Sequence, residues 1–259
     1  MVIEFSDDVG EARPAATAIL VRQSSAGHEV LLLKRSDELK HMPGLWVFPG
    51  GKVEAFDKGD TELEQARQGA ARELEEEAGI TLPPSSLRAF SHWLTPVVVS
   101  RRFSTWFFLT EVSPDCEVTV DGSEIVEHQW WRPAEAIRAH HGGGLPLTPP
   151  TLASLHDLEV EQDASLFLTD PDHRPPPRFF PHVVQDADQM VFLYEGDVAY
   201  ESGDINQPGA QHRMTGRRGI FHYFTGAGLK PPGACLVTGT ISHRAAAIAC
   251  RERSHQTVV

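Results

Sequence analysis

The stretch from Gly50 to Ile80 constrains this chain more than any other. An apolar run, Leu45-Trp46-Val47-Phe48-Pro49, meets the double glycine Gly50-Gly51, then a long polar and acidic segment that stops at Gly79. Near the end of that segment stands Arg72-Glu73-Leu74-Glu75-Glu76-Glu77-Ala78. On a helix each residue advances by about 100°, so Glu73, Glu76 and Glu77 share one arc and Glu75 points away. Leu63, Ala70, Ala71, Leu74 and Ala78 fall on an adjoining arc that can pack inward. Three carboxylates beside a buried stripe repel one another and weaken the helix. A divalent cation removes that penalty, and hard oxygen donors suit Mg²⁺ or Mn²⁺. A charge run by itself is usually a solvated helix face. Here a strand runs into a tight glycine turn, and a glycine sits where a C-terminal cap belongs. That combination reads as a metal-site constellation.

The 259 residues are enough for one large domain, or for a domain with a substantial extension. A net charge of −13 excludes a general electrostatic grip on nucleic acid. It leaves room for a small anionic ligand, because a bound metal and a few arginines can reverse the sign locally. The three cysteines, Cys116, Cys235 and Cys250, show no CxxC spacing and read as buried or free thiols in a reducing compartment. The acidic first ten residues lack the pattern of a secretory signal, and no stretch reaches the roughly 18 apolar residues of a membrane span. A soluble, cytoplasmic protein with no membrane or nucleic-acid partner is expected.

Short strands are expected at 15–21, 30–33, 45–48, 89–94, 103–111 and 127–132. The acidic helix should begin after an N-cap at Asp60 or Thr61 and run to about Ala78. Pro133 opens a second helix to about Ala139. His140 and His141 then read as a solvated helix end, favourable against the dipole. A third helix is expected over 149–158. Beyond it, 170–180 is proline-rich and extended, and strands are expected at 190–193, 220–224, 234–238 and 245–249.

Gly51, Asp57, Arg72, Glu73, Glu76, Glu77 and Gly79 resemble the Nudix box, Gly-x5-Glu-x7-Arg-Glu-U-x-Glu-Glu-x-Gly-U, with U aliphatic. Two departures stand out. Asp57 occupies the position six after Gly51 where the box has Glu, and the stretch from there to Arg72 is seven residues longer. Glu64 keeps the eight-residue offset from Arg72, so Asp57 and Glu64 compete to orient that arginine. The segment Leu31-Leu32-x-x-Arg35-Ser36-x3-Lys40-x3-Gly44-x3-Phe48-Pro49-Gly50-Gly51 is similar to the upstream motif of coenzyme A-hydrolysing members. Leu33 replaces its usual Thr and Lys40 its second Arg. Trp93 to Pro96, Arg101 to Phe108 and Pro149-Pro150 look like the peroxisomal coenzyme A diphosphatase branch. So do Leu193-x-x-Gly196-Asp197-x-x-Tyr200 and His212-Arg213 in the tail.

The resemblance implies an α/β fold, the Nudix α/β/α sandwich around a mixed β-sheet, over 10–158. A β-containing C-terminal extension, 159–259, would pack on or extend it. It implies cleavage of a nucleoside diphosphate linked to X, with Mg²⁺ or Mn²⁺ held by Glu73, Glu76, Glu77 and the Gly51 carbonyl. Attack on a pyrophosphate needs charge neutralised and a water made more acidic, which agrees with that donor set. Arg72 is read as an orienting ion-pair partner rather than a phosphate binder. Glu124 matches a downstream acidic position of the family and is a candidate general base, as is Glu77 itself. Arg101 and Arg102, then Arg35 and Lys40, are the candidate substrate contacts. Coenzyme A or acyl-coenzyme A is the favoured substrate. ADP-ribose, dinucleotides and damaged nucleotides are the rival substrates, and a non-catalytic Nudix-fold binding protein is the rival class. A homodimer is expected only by family analogy.

Overall fold

The computed structural model describes residues 10–160 and 176–228. Its first long segment, β1 (Arg13–Ser24), turns at Ser25-Ala26 into β2 (Gly27–Arg35). Two very short strands follow, β3 (Trp46–Val47) and β4 (Gly50–Lys52), and then helix α1 (Glu62–Ala78). β5 (Arg88–Leu94), β6 (Phe103–Val112) and β7 (Ile125–Trp131) lead to α2 (Pro133–His141) and α3 (Pro149–Val160). The extension supplies β8 (Arg178–Phe179), β9 (His182–Asp186), β10 (Gln189–Leu193), β11 (Gly209–Arg217) and β12 (Ile220–Gly228).

A mixed eight-stranded sheet runs in the order β3-β2-β1-β6-β5-β8, with β4 added to β1 and β7 to β2. Its centre is the parallel pair β1 and β6, from Arg13↔Phe103 to Arg22↔Val112, flanked by antiparallel neighbours. The strands at the centre are covered on both faces, so they read as nearly continuous apolar runs. Ala16, Ala18 and Leu20 pack with Leu31, Leu33 and Phe108 beneath the Ala66, Ala70 and Leu74 side of α1. Ile19, Val21, Val30, Leu32, Phe107 and Leu109 point the other way, into a larger core shared with α2 and α3. This is the expected α/β/α sandwich, and the small side chains of β1 let the acidic helix lie close to the sheet.

The expected strand at 45–48 is present as the shorter β3, and an additional short strand, β4, follows it. Pro49 offers no N–H to a ladder. At Gly50 an added Cβ would run into the Ala16 carbonyl and Thr17. Gly50 and Gly51 instead pair with Thr17 and Ala16 as β4, which brings the glycine turn against the sheet centre.

The extension is joined to this body in two ways. β8 adds to the sheet edge in parallel with β5, and its Phe179 stacks on Trp93 at a centroid separation of 4.0 Å. The remaining strands form an antiparallel sheet, β12-β11-β10-β9, whose Phe192, Tyr194, Met214, Phe221 and Tyr223 join the α2/α3 core. β9 and β11 are additional to the sequence expectation. The expected strands at 234–238 and 245–249, with Cys235 and Cys250, lie outside the described residues. Cys116 is a free, half-buried thiol.

The histidines closing α2 are a correction. His140 is buried, not solvated, because β12 lies across it: its Nε2 accepts from the Phe221 N–H at 2.9 Å while Nδ1 faces the Leu145 carbonyl at 2.9 Å. That arrangement holds a neutral tautomer with Nδ1–H. His141 stacks on His222 at 4.5 Å, and His156 of α3 is buried nearby against Tyr223. Burial, then the neighbouring imidazoles His141, His140 and His222, push the His156 pKa down to about 4. The free imidazole titrates near 6.5. A folded pKa below the unfolded one means full stability above about pH 6.5, lost progressively as pH falls toward 4. The loss from His156 alone is on the order of 3 kcal/mol. Urea denaturation between pH 7 and 4.5 should show the midpoint falling, and His156→Leu should flatten that profile.

Candidate active site

Local rules fix the acidic helix in place. Thr61 is the N-cap: its hydroxyl accepts from the Glu64 N–H at 3.2 Å, and Glu64 Oε2 accepts from the Thr61 N–H at 3.1 Å. This reciprocal capping box satisfies two donors that the first turn otherwise leaves free. It also removes Glu64 from the competition for Arg72. At the far end Gly79 takes the left-handed conformation, φ 67°, and its N–H reaches the Glu75 carbonyl.

Arg72 is the hub of the site. Its Nε and Nη2 reach the two oxygens of Asp57 at 3.1 and 3.2 Å, a bidentate pair, and Nη2 also donates to the Lys52 carbonyl at 2.9 Å. Nη1 lies between Glu73 (2.9 Å) and Glu76 (3.0 Å). Asp57 is buried and accepts a further bond from the Glu54 N–H, so it is fixed before it grips the arginine. Of the two candidates Asp57 and Glu64, Asp57 is therefore the one that contacts Arg72. The hydrogen bonds that Arg72 donates to Asp57 lead the causes that raise the guanidinium above its ordinary value, so Arg72 stays a cation throughout.

The three helix carboxylates differ in setting. Glu76 is mostly exposed, and Glu73 is half-buried against Gly51, where an added Cβ would run into its carboxylate. Burial, opposed by Arg72, pushes Glu73 upward. Glu77 is buried, and its Oε2 accepts from the Gly50 N–H at 2.8 Å. Burial raises its pKa to about 8 against the Gly50 hydrogen bond, with Glu73 and Glu124 adding repulsion and Arg35 relieving it. Charge is thus disfavoured where three acids are held together.

A hard cation fits this donor set, and the glycine at 51 leaves the room that a side chain would fill. Among the described residues no three acidic, histidine or cysteine side chains cage an ion by themselves. Mg²⁺ commonly takes one or two carboxylates and completes its shell with water and phosphate oxygens. Glu73, Glu76, Glu77 and the Gly51 backbone are the groups that could hold it.

Of the other expected site residues, two converge. Arg35 ends β2 beside β7, and its Nη2 lies 3.8 Å from Glu124 Oε2. Both act electrostatically on Glu77. Lys40 is exposed in the loop after β2, and Arg101 is exposed in the β5–β6 loop. Arg102 donates to the carbonyls of Thr95 (3.2 Å) and Gly10 (2.8 Å), which makes it a clamp on that loop. Sequence reasoning missed the backbone contributors, the Gly50 N–H and the Lys52 carbonyl, for which no residue type signals. It also missed Phe56, whose signal was an aromatic ring within a polar loop.

An alanine-lined helix over a mixed sheet, with a glycine turn pressed on a glutamate and an arginine bridging two more, sits in a fold shared with known proteins. Residues 12–149 match the NUDIX domain, and the chain belongs to the Nudix family. It is similar to "Putative nudix hydrolase 7" of Caenorhabditis elegans, 30% identical over 190 residues, covering 60% of this chain and 63% of that protein. The chain therefore spans just under two thirds of that relative's length. It is also similar to "Acyl-coenzyme A diphosphatase NUDT19" of Xenopus laevis, 24% identical over 277 residues, covering 69% of this chain and 73% of the relative. A crystal structure of a NUDIX hydrolase from Alicyclobacillus acidocaldarius aligns with a TM-score of 0.58 at 22% identity, covering 65% of this chain and all of that one. That likeness concerns the fold. No helix among the described residues is long and apolar enough to cross a membrane.

Proposed function

We propose that this chain is a metal-dependent diphosphatase that hydrolyses the pyrophosphate of a nucleoside diphosphate linked to X. Coenzyme A or acyl-coenzyme A is the favoured substrate, cleaved to adenosine 3′,5′-bisphosphate and (acyl-)4′-phosphopantetheine. The observation that carries the reading is the set Glu73, Glu76 and Glu77 held against Gly50-Gly51 with Arg72 locked by Asp57. Bound there, a divalent cation supplies charge neutralisation at the phosphate oxygens and a more acidic water. The Asp57–Arg72 pair keeps Glu73 and Glu76 in register along the helix. Glu77 is assigned to the donor set, with one oxygen bonded to the Gly50 N–H, and Glu124, exposed and beside Arg35, is assigned as the base for the attacking water. Arg35, Arg101 and Lys40 are the cations available to the substrate's phosphates. The preference for coenzyme A rests on the resemblance of 31–51 and 101–108 and on the name of the Xenopus relative.

Incubation with Mg²⁺ and a panel of coenzyme A, acetyl-coenzyme A, ADP-ribose, diadenosine tetraphosphate and an oxidised nucleoside triphosphate tests this. Adenosine 3′,5′-bisphosphate should appear from the first two. Turnover of ADP-ribose without coenzyme A would overturn the substrate, and turnover of none would overturn the activity.

A further inference from the structure

The loop between β4 and α1 carries a residue that the catalytic reading does not use. Phe56 is 64% exposed, the most exposed of the large apolar side chains among the described residues. Lone surface hydrophobes are ordinary and need no explanation. This one differs in how it is held. The Asp57 N–H donates to the Glu54 carbonyl at 2.9 Å, and the Glu54 N–H donates back to Asp57 Oδ2 at 2.8 Å. Ala55 and Phe56 are therefore the two central residues of a turn closed from both sides. Such positions ordinarily favour small or polar residues rather than an aromatic ring.

The carboxylate that closes the turn is the one that locks Arg72. Its guanidinium carbon lies 5.4 Å from the centre of the Phe56 ring, within the range of a cation–π contact. The same guanidinium bridges Glu73 and Glu76. The ring is thus fixed one side chain away from the carboxylates at which the pyrophosphate would be cleaved. Its exposed chain neighbours Lys52, Glu54, Ala55 and Lys58 offer no second large apolar side chain beside it. An alkyl chain would find one contact and then water. A flat ring would find a platform, because stacking needs a single exposed π-face.

We propose that Phe56 is a stacking platform for the purine base of the substrate's nucleotide half, set beside the cleavage site by the Glu54–Asp57 turn. The assignment deepens the diphosphatase reading and rests on it for the position of the phosphates.

The test is calorimetric binding of ADP and CDP in saturating Mg²⁺ to the wild type, F56A, F56L and F56W, which needs no turnover. The wild type should prefer ADP. F56A should weaken ADP about tenfold and CDP by less, the effect expected for one lost base stack. F56W should restore the preference, whereas F56L, apolar but not planar, should behave as F56A does. Thermal midpoints should stay unchanged in all three variants, since the ring is mostly in solvent. Recovery with F56L would assign the ring to an aliphatic group instead. Equal losses for both nucleotides, no loss, or no binding of either nucleotide to the wild type would each overturn the proposal. If the substrate panel fails while the ADP preference responds to Phe56, the platform stands and the hydrolytic reading falls.

Discussion

Glu76→Gln should lower kcat/KM on the best substrate by about 1,000-fold, roughly 4 kcal/mol of transition-state stabilisation. The substitution is well suited to the question because Glu76 contributes little to the fold. Its side chain is 57% exposed and pairs with Arg72 at 3.0 Å. Glutamine keeps the size and can still accept that hydrogen bond, so only the charge is lost. An exposed pair of this kind is worth about 0.3–0.5 kcal/mol to a helix. Removing one of three neighbouring negative charges offsets part of even that. The thermal midpoint without metal should therefore stay close to that of the wild type, while more Mg²⁺ is required for residual activity. Glu75→Gln is the control. It lies on the same turn but is exposed on another arc, and its activity should not change. Near wild-type turnover by Glu76→Gln would remove this carboxylate from the donor set.

How much of this could be read from the chain alone depended on how far apart the interacting residues lie. The acidic helix was legible because its determinants are local: a capping box spanning Thr61 to Glu64, the periodicity of Ala66, Ala70 and Leu74, and Gly79 as the stop. The three proposed carboxylate donors share one helix face by the same periodicity, whereas Gly51 was expected only from the family resemblance. The choice between Asp57 and Glu64 was not legible, since both offsets were compatible with a partner for Arg72. Only the turn that buries Asp57 and the cap that occupies Glu64 separate them. The central parallel pairing of β1 with β6 joins residues about ninety apart, and nothing in either strand names the other. β11 escaped notice because Gly209–Arg217 is polar and bounded by glycine, with His212 and Arg213 at positions that are nonetheless buried. His140 misled for the same reason: a histidine closing a helix normally meets water, and the strand that covers it comes 80 residues later.

Asp197→Ala should lower stability by about 3–5 kcal/mol, with no expected effect through the candidate active site. The Asp197 side chain is fully buried, and Arg213 opposite it is 7% exposed. The two form a bidentate pair, Nε to Oδ2 at 2.7 Å and Nη2 to Oδ1 at 2.6 Å. The same carboxylate accepts from the backbone N–H groups of Ala199 and His212, both at 2.8 Å, and Arg213 Nη1 donates to the Ile205 carbonyl. Burial pushes the Asp197 carboxyl upward, but Arg213 and those backbone donors outweigh it and hold the group below the usual range. Its contribution is present above the unfolded carboxylate pKa, near 3.9, and is lost only as pH falls below that. The acid loss from His156 occurs at higher pH, so the two can be distinguished in one titration. Alanine removes the anion and leaves the guanidinium buried with one backbone acceptor, which is costlier than losing the pair. Asp197→Leu with Arg213→Met, which removes both charges, should therefore recover part of the stability lost in Asp197→Ala. These residues belong to the tail segments Gly196-Asp197 and His212-Arg213 that resembled the coenzyme A diphosphatase branch. Asp197 ties the end of β10 to β11, β11 pairs with β12, and β12 brings the Phe221 N–H to His140 of α2. Chemical denaturation followed by the tryptophans of the mixed sheet would show whether losing this pair releases the second sheet alone or unfolds the whole body.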